Sequence, residues 1–254
     1  MPWDPGQYHK FKNERFAPFN DLVTLITAHE RMSVVDLGCG TGELSRRLLD
    51  HLPGASVLGL DSSPSMLEKA RQHHSHNLEF SLSSIEMASG TFDLVFSHAA
   101  IHWVDDHRSL IPHLFTMVNP GGQLAIQTPA NHKHPAHTAI IDTACEEPFR
   151  SALSGWFRTS PVLEIDAYAE LLHDSGGLEV TVYEKVYPVI MPDASSVAEW
   201  TSGTTLVPYF ERLPHELHDA FLQRYKEKLY HIWPTGPVYY TFRRILLYAG
   251  KDSG

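Results

Sequence analysis

The sequence predicts an α/β fold with a doubly wound sheet of about seven strands, and three observations support this prediction. Short apolar runs alternate with amphipathic stretches between residues 33 and 128, which is the pattern of right-handed βαβ units. The runs are nearly uninterrupted, as strands covered on both faces require. A glycine-rich turn follows the first run at residues 38–42.

Seven segments have the composition of strands. They are residues 33–37, 56–61, 77–82, 92–98, 122–128, 178–191 and 242–250. Pro188 interrupts the sixth segment. Because proline donates no ladder hydrogen bond, the second half of that segment is expected at a sheet edge or outside the sheet.

Helical patterns lie between these strands, at residues 42–52, 62–72 and 109–118. Ser63 is a suitable N-cap for the second pattern, and Pro64 suits its first helical position. Residues 193–233 are also expected to be helical, and Ser196 and Glu199 have the spacing of a capping box.

These elements are expected to form a single domain, residues 1–254. Residues 1–30 are interpreted as an N-terminal helical cover and residues 31–128 as a cofactor-binding core. Residues 130–177 and 193–240 are interpreted as helical lid segments over a substrate, the second inserted between the last two strands.

Composition excludes several classes of partner. The formal net charge is −10 and the pI about 5.9, which argues against nucleic acid or an anionic membrane as the main partner. No apolar run approaches the length of a transmembrane helix, and the N-terminus lacks the apolar region of a secretory signal. Only Cys39 and Cys145 are present, so a cytoplasmic location is expected.

The residues VVDLGCGTG (34–42) predict a Rossmann-like nucleotide site. Gly38 and Gly40 permit a tight turn and a close approach of the backbone to a ligand. Their spacing departs from the dinucleotide fingerprint, and Asp36 would repel phosphate but suits an ammonium group. Asp61 ends the second strand, where the hydroxyls of a ribose are expected. An adenosine with a cationic amino-acid tail and no phosphate is S-adenosylmethionine, whose product is S-adenosylhomocysteine.

Four further stretches carry a family resemblance. GLDSSPSML, FDLVFSHAAIHWVDDH and LFTMVNPGGQLAIQTP, together with the glycine loop, resemble the successive motifs of class I methyltransferases. With WDPGQYHKFKNERFAPFNDL at the start, the chain resembles the trans-aconitate 2-methyltransferase family from Trp3 to about Ala249.

The resemblance implies a set of cofactor contacts. Asp36, Gly38 and Gly40 would contact the methionine part, and Asp61 the ribose. The other implied contacts are Ser62 and Met66 beside the adenine, Ser84 and Ile85 after the third strand, His98 at the end of the fourth strand, and Arg15 at the cofactor carboxylate. Ser84 stands where the family usually has an acid.

Substrate contacts are expected at the carboxyl edge of the sheet and in the lid. His102 and Trp103 follow the fourth strand, and Arg244 matches an arginine of the family near the last strand. Further candidates are Tyr8, Asn131, Tyr168, Tyr187 and Trp200. Val207 stands where the family tends to carry an arginine, so a bidentate carboxylate clamp is missing there. Val189 stands where a polar residue is expected.

The predicted function is O-methylation of a carboxylate on a small organic acid. A carboxylate is ionised at neutral pH, since its reference pKa is about 4, so no general base is required. Alternatives are methylation of a nitrogen, phenol or carbon with His98 or His102 as base, or a cofactor-binding protein without catalysis. Two histidine groups, 73–76 and 132–137, lack an acid or cysteine at ligand spacing, so no metal is expected.

Overall fold

The computed structural model describes the backbone of residues 12–254 and the side chains from residue 16 onwards. It contains the seven strands β1 (Ser33–Leu37), β2 (Ser56–Asp61), β3 (Leu78–Leu82), β4 (Phe92–His98), β5 (Val118–Pro129), β6 (Gly177–Met191) and β7 (Val238–Lys251). Five of them occupy the predicted segments with little change, whereas β5 and β7 each begin four residues before the predicted start.

Helices fill the connections. Those on either side of the first five strands are α1 (Lys12–Val23), α2 (Glu43–His51), α3 (Pro64–Ala70) and α4 (His107–Thr116). The later ones are α5 (Pro135–Ala144), α6 (Phe149–Ala152), α7 (Ile165–Asp174), α8 (Ala194–Ser202), α9 (Val207–Phe210) and α10 (His218–Ile232). Short 3-10 turns occur at Arg71–His73, Ile101–Trp103 and His215–Leu217. No helix in the described part of the chain is long and apolar enough to cross a membrane.

The strands form one sheet in the order β3-β2-β1-β4-β5-β7-β6. The first five strands are parallel, and β7 pairs antiparallel with β5. The chain winds outward from β1 in one direction to β3, then returns to place β4 on the other side of β1. Ligands of such sheets bind beyond the carboxyl ends of the strands at this point of reversal.

The chain divides into two compact units. The core unit comprises Phe16–Pro129, Pro161–Lys185 and Arg244–Gly254, and the helical unit comprises Ala130–Ser160 and Val186–Arg243. Residues 161–177, which the sequence assigns to the lid, group with the core unit. The boundaries also fall inside β6 and β7, so Pro188 lies in the half of β6 that leaves the core unit.

Local sequence explains the ends of the helices. At α3, the Ser63 hydroxyl accepts a hydrogen bond from the Met66 amide and Pro64 occupies the first turn, as predicted. At α8, the capping residue is Asp193, whose carboxylate accepts from the Ser196 amide at 2.8 Å. The predicted cap at Ser196 is therefore wrong. Asp193 caps the helix instead, so α8 begins at Ala194 and Ser196 lies in its first turn.

Each unit has its own apolar core. In the core unit, Phe19 and Leu22 of α1 pack with Leu94, Phe96 and other side chains from one face of the sheet. In the helical unit, α5, α8 and α10 bury apolar and aromatic side chains against the second half of β6 and the first half of β7. Burial of this kind stabilises a fold by about 25 cal/mol per Å² of apolar area removed from water.

Candidate active site

The glycine loop joins β1 to α2 with a backbone that side chains rarely permit. Gly38 and Gly40 have φ of +76° and +57°. A Cβ on Gly38 would overlap the side chain of Ala100, whereas a Cβ on Gly40 would meet no atom within 4 Å. Packing therefore requires glycine at the first position, while the second borders open space.

Asp61 fixes this loop to the end of β2. Its Oδ2 accepts from the Gly40 amide at 2.8 Å, and its Oδ1 accepts from the Ser63 amide at 2.8 Å. Each carboxylate oxygen accepts more than one hydrogen bond, and the side chain is partly exposed. Asp61 thus keeps acceptor capacity for the vicinal hydroxyls of a ribose.

Asp36 is more deeply placed than its predicted contact with an ammonium group suggests. The side chain is only 2% exposed, and its Oδ2 accepts from the Ser45 hydroxyl at 2.6 Å. Burial raises the pKa of Asp36 to about 7, while the Ser45 hydrogen bond lowers it and the nearby Asp61 charge raises it. This carboxyl group is therefore poised to change its charge near neutral pH.

Of the remaining predicted cofactor residues, Ile85 lies close to the loop, Ser62 precedes the helix α3 and Met66 lies on it. The Cδ1 atom of Ile85 is 3.6 Å from the position of a Cβ on Gly38, and Ser84 precedes it, partly buried. Ser62 is exposed and Met66 is partly buried near the start of α3. The side chain of Arg15, like all of Tyr8, lies outside the described residues, so both stay predictions.

His98 ends β4 at the same edge of the sheet. In the sheet, Asp36 of β1 pairs with Phe96 of β4, and His98 of β4 pairs with Gln127 of β5. The ring of Phe19 meets the His98 ring edge to face, with centroids 6.0 Å apart. His98 therefore stands between the glycine loop and the end of β5.

His102 and Trp103 lie in the 3-10 turn that follows β4. Their ring centroids are 4.9 Å apart, and Trp103 is 51% exposed while His102 is partly buried. An exposed tryptophan beside the carboxyl edge is available to a ligand. Both residues lie in the core unit.

Tyr168 is buried and hydrogen-bonded within the core unit. The side chain is fully buried on α7, where its hydroxyl is hydrogen-bonded to Nδ1 of His107 and accepts from the Leu163 amide at 3.2 Å. Burial lowers the pKa of His107, and this effect outweighs the hydrogen bond to the Ile101 carbonyl, which raises the pKa. This packing between α4 and α7 gives Tyr168 a structural role, and its contact with substrate stays a prediction.

Asn131 also has a structural task. Its amide nitrogen donates to the Thr241 carbonyl at 2.9 Å, and its oxygen accepts from the Arg243 amide at 2.7 Å. These bonds hold the segment after β5 against β7 within the helical unit. Tyr187 is buried in the core of the same unit, and Trp200 is packed against that core.

The last strand places Arg244 opposite Pro129 of β5. The arginine is 5% exposed and belongs to the core unit. It is one residue from the boundary with the helical unit. Its role toward a substrate stays a prediction.

The second histidine group lies in the helical unit without forming a metal centre. The His134 imidazole accepts from the Ala136 amide and caps α5, with its ring 4.3 Å from that of Tyr240. Nε2 of His137 is 3.3 Å from the Tyr240 hydroxyl. Among the described residues, no group of three histidine, cysteine or acidic side chains is arranged to hold a metal ion.

The sequence analysis missed one polar feature at the end of β5. Both amide atoms of Gln127 and the hydroxyl of Thr128 are buried without a hydrogen-bond partner among the described residues. A signal was present in the sequence, since GQLAIQT ends an otherwise apolar buried strand with polar side chains.

Comparisons with known proteins place this geometry in a family. A family model described as a methyltransferase domain matches residues 28–174. The trans-aconitate 2-methyltransferase of Deinococcus radiodurans is 46% identical over the full length of both chains, and that of Variovorax paradoxus is 34% identical over the full length of both.

Solved structures agree at the level of the fold. The YcgJ protein of Bacillus subtilis aligns with a TM-score of 0.60 at 14% identity, covering 94% of this chain and all of the other. The phosphoethanolamine N-methyltransferase 2 of Haemonchus contortus, in complex with S-adenosyl-L-methionine, aligns with a TM-score of 0.57 at 17% identity. That alignment covers 93% of this chain and 52% of the other.

Proposed function

The chain belongs to the trans-aconitate 2-methyltransferase family, and from this membership we propose that it methylates a carboxylate of trans-aconitate or a similar acid. The observation that carries the proposal is the 46% identity to a trans-aconitate 2-methyltransferase over the full length of both chains. The methyl donor is S-adenosylmethionine, as the family requires.

The residues of the glycine loop fit this cofactor. Open space beside Gly40 admits its methionine part, and the partly exposed Asp61 keeps acceptors for the ribose hydroxyls. The ammonium group is assigned to the vicinity of Asp36. When bound, the cofactor supplies a methyl group that is activated by attachment to a positively charged sulfur.

The task of the protein's own residues is to position the acid. A carboxylate is ionised at neutral pH, so His98 and His102 are not needed as bases and instead orient the substrate at the carboxyl edge of the sheet. Holding two reactants in line and in contact supplies much of the rate enhancement in transfers of this kind. The exposed ring of Trp103 shields one side of the acid from water.

Carboxylate recognition in this chain uses side chains other than those at Val189 and Val207. Val189 is 4% exposed within the core of the helical unit, and Val207 begins the short helix α9. Arg244 is our first candidate for a substrate arginine. The free thiols of Cys39 and Cys145 support a cytoplasmic location, and the net charge of −10 supports a small molecule rather than nucleic acid as partner.

The test is transfer of a labelled methyl group from S-adenosylmethionine to a panel of small acids that includes trans-aconitate. We expect a labelled product whose ester is cleaved by base, together with S-adenosylhomocysteine. Label in a base-stable product of a carboxylate-free metabolite would contradict the proposal and assign a different nucleophile. Binding of S-adenosylhomocysteine without transfer to any compound would indicate a cofactor-binding protein.

A further inference from the structure

Gln127 presents an unusual combination of burial and unused hydrogen-bonding capacity. The residue is 0% exposed, and neither Nε2 nor Oε1 has a hydrogen-bond partner among the described residues. Buried polar groups in native proteins are nearly always paired, because leaving one unpaired costs the full free energy of its desolvation. A buried, unpaired amide therefore indicates a partner beyond the described residues.

The position of Gln127 points to a ligand as that partner. It pairs with His98 across β4 and β5, and paired residues on neighbouring strands have their side chains on the same face. Neighbouring strands are about 4.8 Å apart, so His98 and Gln127 follow each other across the sheet from the glycine loop. This row lies at the carboxyl ends of parallel strands, where the proposed reaction takes place.

A second glutamine on β5, Gln123, provides a comparison, because its side-chain amide is fully hydrogen-bonded within the protein. Gln123 lies four residues earlier on the same face, and its Oε1 accepts from the Thr27 amide at 2.8 Å and from the Tyr248 hydroxyl at 3.2 Å. Its Nε2 donates to the Thr27 carbonyl at 2.8 Å. The core unit thus satisfies one buried amide of β5 completely and leaves the one at the active edge unsatisfied.

We propose that the Gln127 amide binds a carboxylate group of a ligand at this edge, with the Nε2–H groups as donors. The inference rests on the proposed function, which brings carboxylates to the site from two sources: the acid substrate and the methionine part of the cofactor. An amide gives a neutral, directional donor for either. Gln127 is a binding residue, and the transfer itself needs no proton from it.

The experiment compares Gln127→Met with Gln123→Met in the full-length protein. Methionine keeps the length of the side chain and removes both polar atoms. In the ligand-free protein, we expect Gln127→Met to leave the midpoint of thermal unfolding unchanged or raised, because an unpaired buried amide is removed. Gln123→Met should lower it, because three hydrogen bonds are lost and the hydroxyl of the buried Tyr248 loses this partner.

Calorimetry then identifies the source of the carboxylate. For Gln127→Met, we expect about 10- to 100-fold weaker binding, the usual effect of losing a hydrogen bond to a charged group. If the weakened ligand is trans-aconitate added to the complex with S-adenosylhomocysteine, the acid is the partner. If the weakened ligand is S-adenosylhomocysteine itself, the carboxylate of its amino-acid part is the partner of Gln127. Gln127→Glu should weaken the same ligand further by charge repulsion, and Gln123→Met should weaken neither.

Two results would overturn the inference. One is a lowered unfolding midpoint for Gln127→Met with unchanged binding of both ligands, which would show that the amide is bonded within the fold through water. The other is an unfolding midpoint of Gln127→Met equal to that of the wild type, together with unchanged binding of S-adenosylhomocysteine and of the acid. Failure of the wild-type protein to methylate any acid would instead reject the proposed function, and the binding of S-adenosylhomocysteine and the unfolding midpoints would still decide the role of Gln127.

Discussion

Asp61 connects the glycine loop, the start of α3 and the predicted ribose position through a single side chain. Both of its oxygens are engaged by backbone amides, those of Gly40 and Ser63. These bonds fix the orientation of the carboxylate before a ligand arrives. Preorganisation of this kind lowers the entropy lost on binding.

Replacement of Asp61 by alanine should therefore weaken the binding of S-adenosylhomocysteine. We expect the affinity to fall about 10- to 100-fold, since hydrogen bonds to a charged group are lost. The loop also loses the hydrogen bond between the Gly40 amide and the end of β2. Isothermal calorimetry measures the change. Asp50→Ala is the matched control, because Asp50 only makes an exposed ion pair with Arg46 on α2. Equal affinity of the Asp61 variant and the wild type would contradict the ribose assignment.

Asp36 should make cofactor binding depend on pH. Its pKa is raised to about 7, chiefly by burial, so the free protein holds a proton there below neutral pH. A bound ammonium group favours the ionised carboxylate and lowers this pKa. Affinity for S-adenosylhomocysteine should therefore increase as the pH rises toward about 7, by up to about tenfold per unit, and level off above it, with release of a proton on binding below that pH.

The proton release can be read from calorimetry in buffers with different ionisation enthalpies. Asp36→Asn should abolish the release. Ser45→Ala removes the hydrogen bond that lowers the Asp36 pKa, so it should move the pH dependence upward. An unchanged pH profile in the Asp36→Asn variant would show that the ammonium group binds elsewhere.

Single residues show where sequence reasoning was incomplete. The sequence contains no local sign that Tyr168 bonds with His107, 61 positions away, or that the Asn131 amide bonds with β7 across 110 and 112 positions. Both residues are polar or amphipathic types that often line pockets, and only the tertiary contacts assign them to packing. The tight turn at Gly38 and Gly40 was predictable because the motif itself encodes that backbone geometry, whereas the cofactor contacts of these residues and of Asp61 stay predictions.

At the scale of elements, hydrophobic patterning was sufficient to locate all seven strands. Apolar runs bounded by turn residues gave β1, β2 and β4 with their observed bounds. The start of β5 was missed because VNPG contains proline and glycine, which are uncommon in strands, whereas the start of β7 was missed although VYYT consists of strand-forming residues. At those ends, pairing with neighbouring strands extends the element beyond what its own residues indicate.

The cap of α8 gives an element-scale prediction. Asp193→Ala removes the carboxylate that accepts from the Ser196 amide and hydroxyl, so it should lower the midpoint of thermal unfolding by about 2–4 °C. Asp193→Asn is the control, because asparagine caps a helix equally well. Differential scanning calorimetry distinguishes the two variants. A loss of the same size in the asparagine variant would assign the effect to charge rather than to the cap.

At the scale of the whole molecule, the chain places its cofactor motif in one compact unit and most of its later helices in another. The order of elements in the first half was predictable, since each βα step is local in sequence. The division itself was not, because its boundaries fall inside the continuous strands β6 and β7, where hydrophobic patterning does not change.

Buried histidines of the helical unit should make the protein sensitive to acid. Burial lowers the pKa of His134 to about 4 and of His137 to about 3, with smaller effects from neighbouring cations. Above a pH of about 6.5, both rings are neutral in the folded and the unfolded chain. As the pH falls further, only the unfolded chain gains protons, so stability decreases by up to about 1.4 kcal/mol per unit and group.

Urea unfolding at pH 7.5 and at pH 5 measures this loss. His134→Asn keeps an acceptor for the cap of α5 and removes the titrating ring, so its stability should decrease less between the two pH values. His231→Asn changes an exposed ring on α10 and should behave as the wild type does. An equal decrease in all three proteins would mean that other groups control the acid sensitivity.

The two cysteines differ in a way that is useful for labelling. Burial raises the pKa of the Cys39 thiol in the glycine loop far above its ordinary value, and the charges of Asp36 and Asp61 raise it further, so little reactive thiolate forms. Cys145 is exposed just after α5. A maleimide dye should therefore attach to the helical unit at a single position of the unaltered sequence, while the loop that faces the cofactor stays chemically intact.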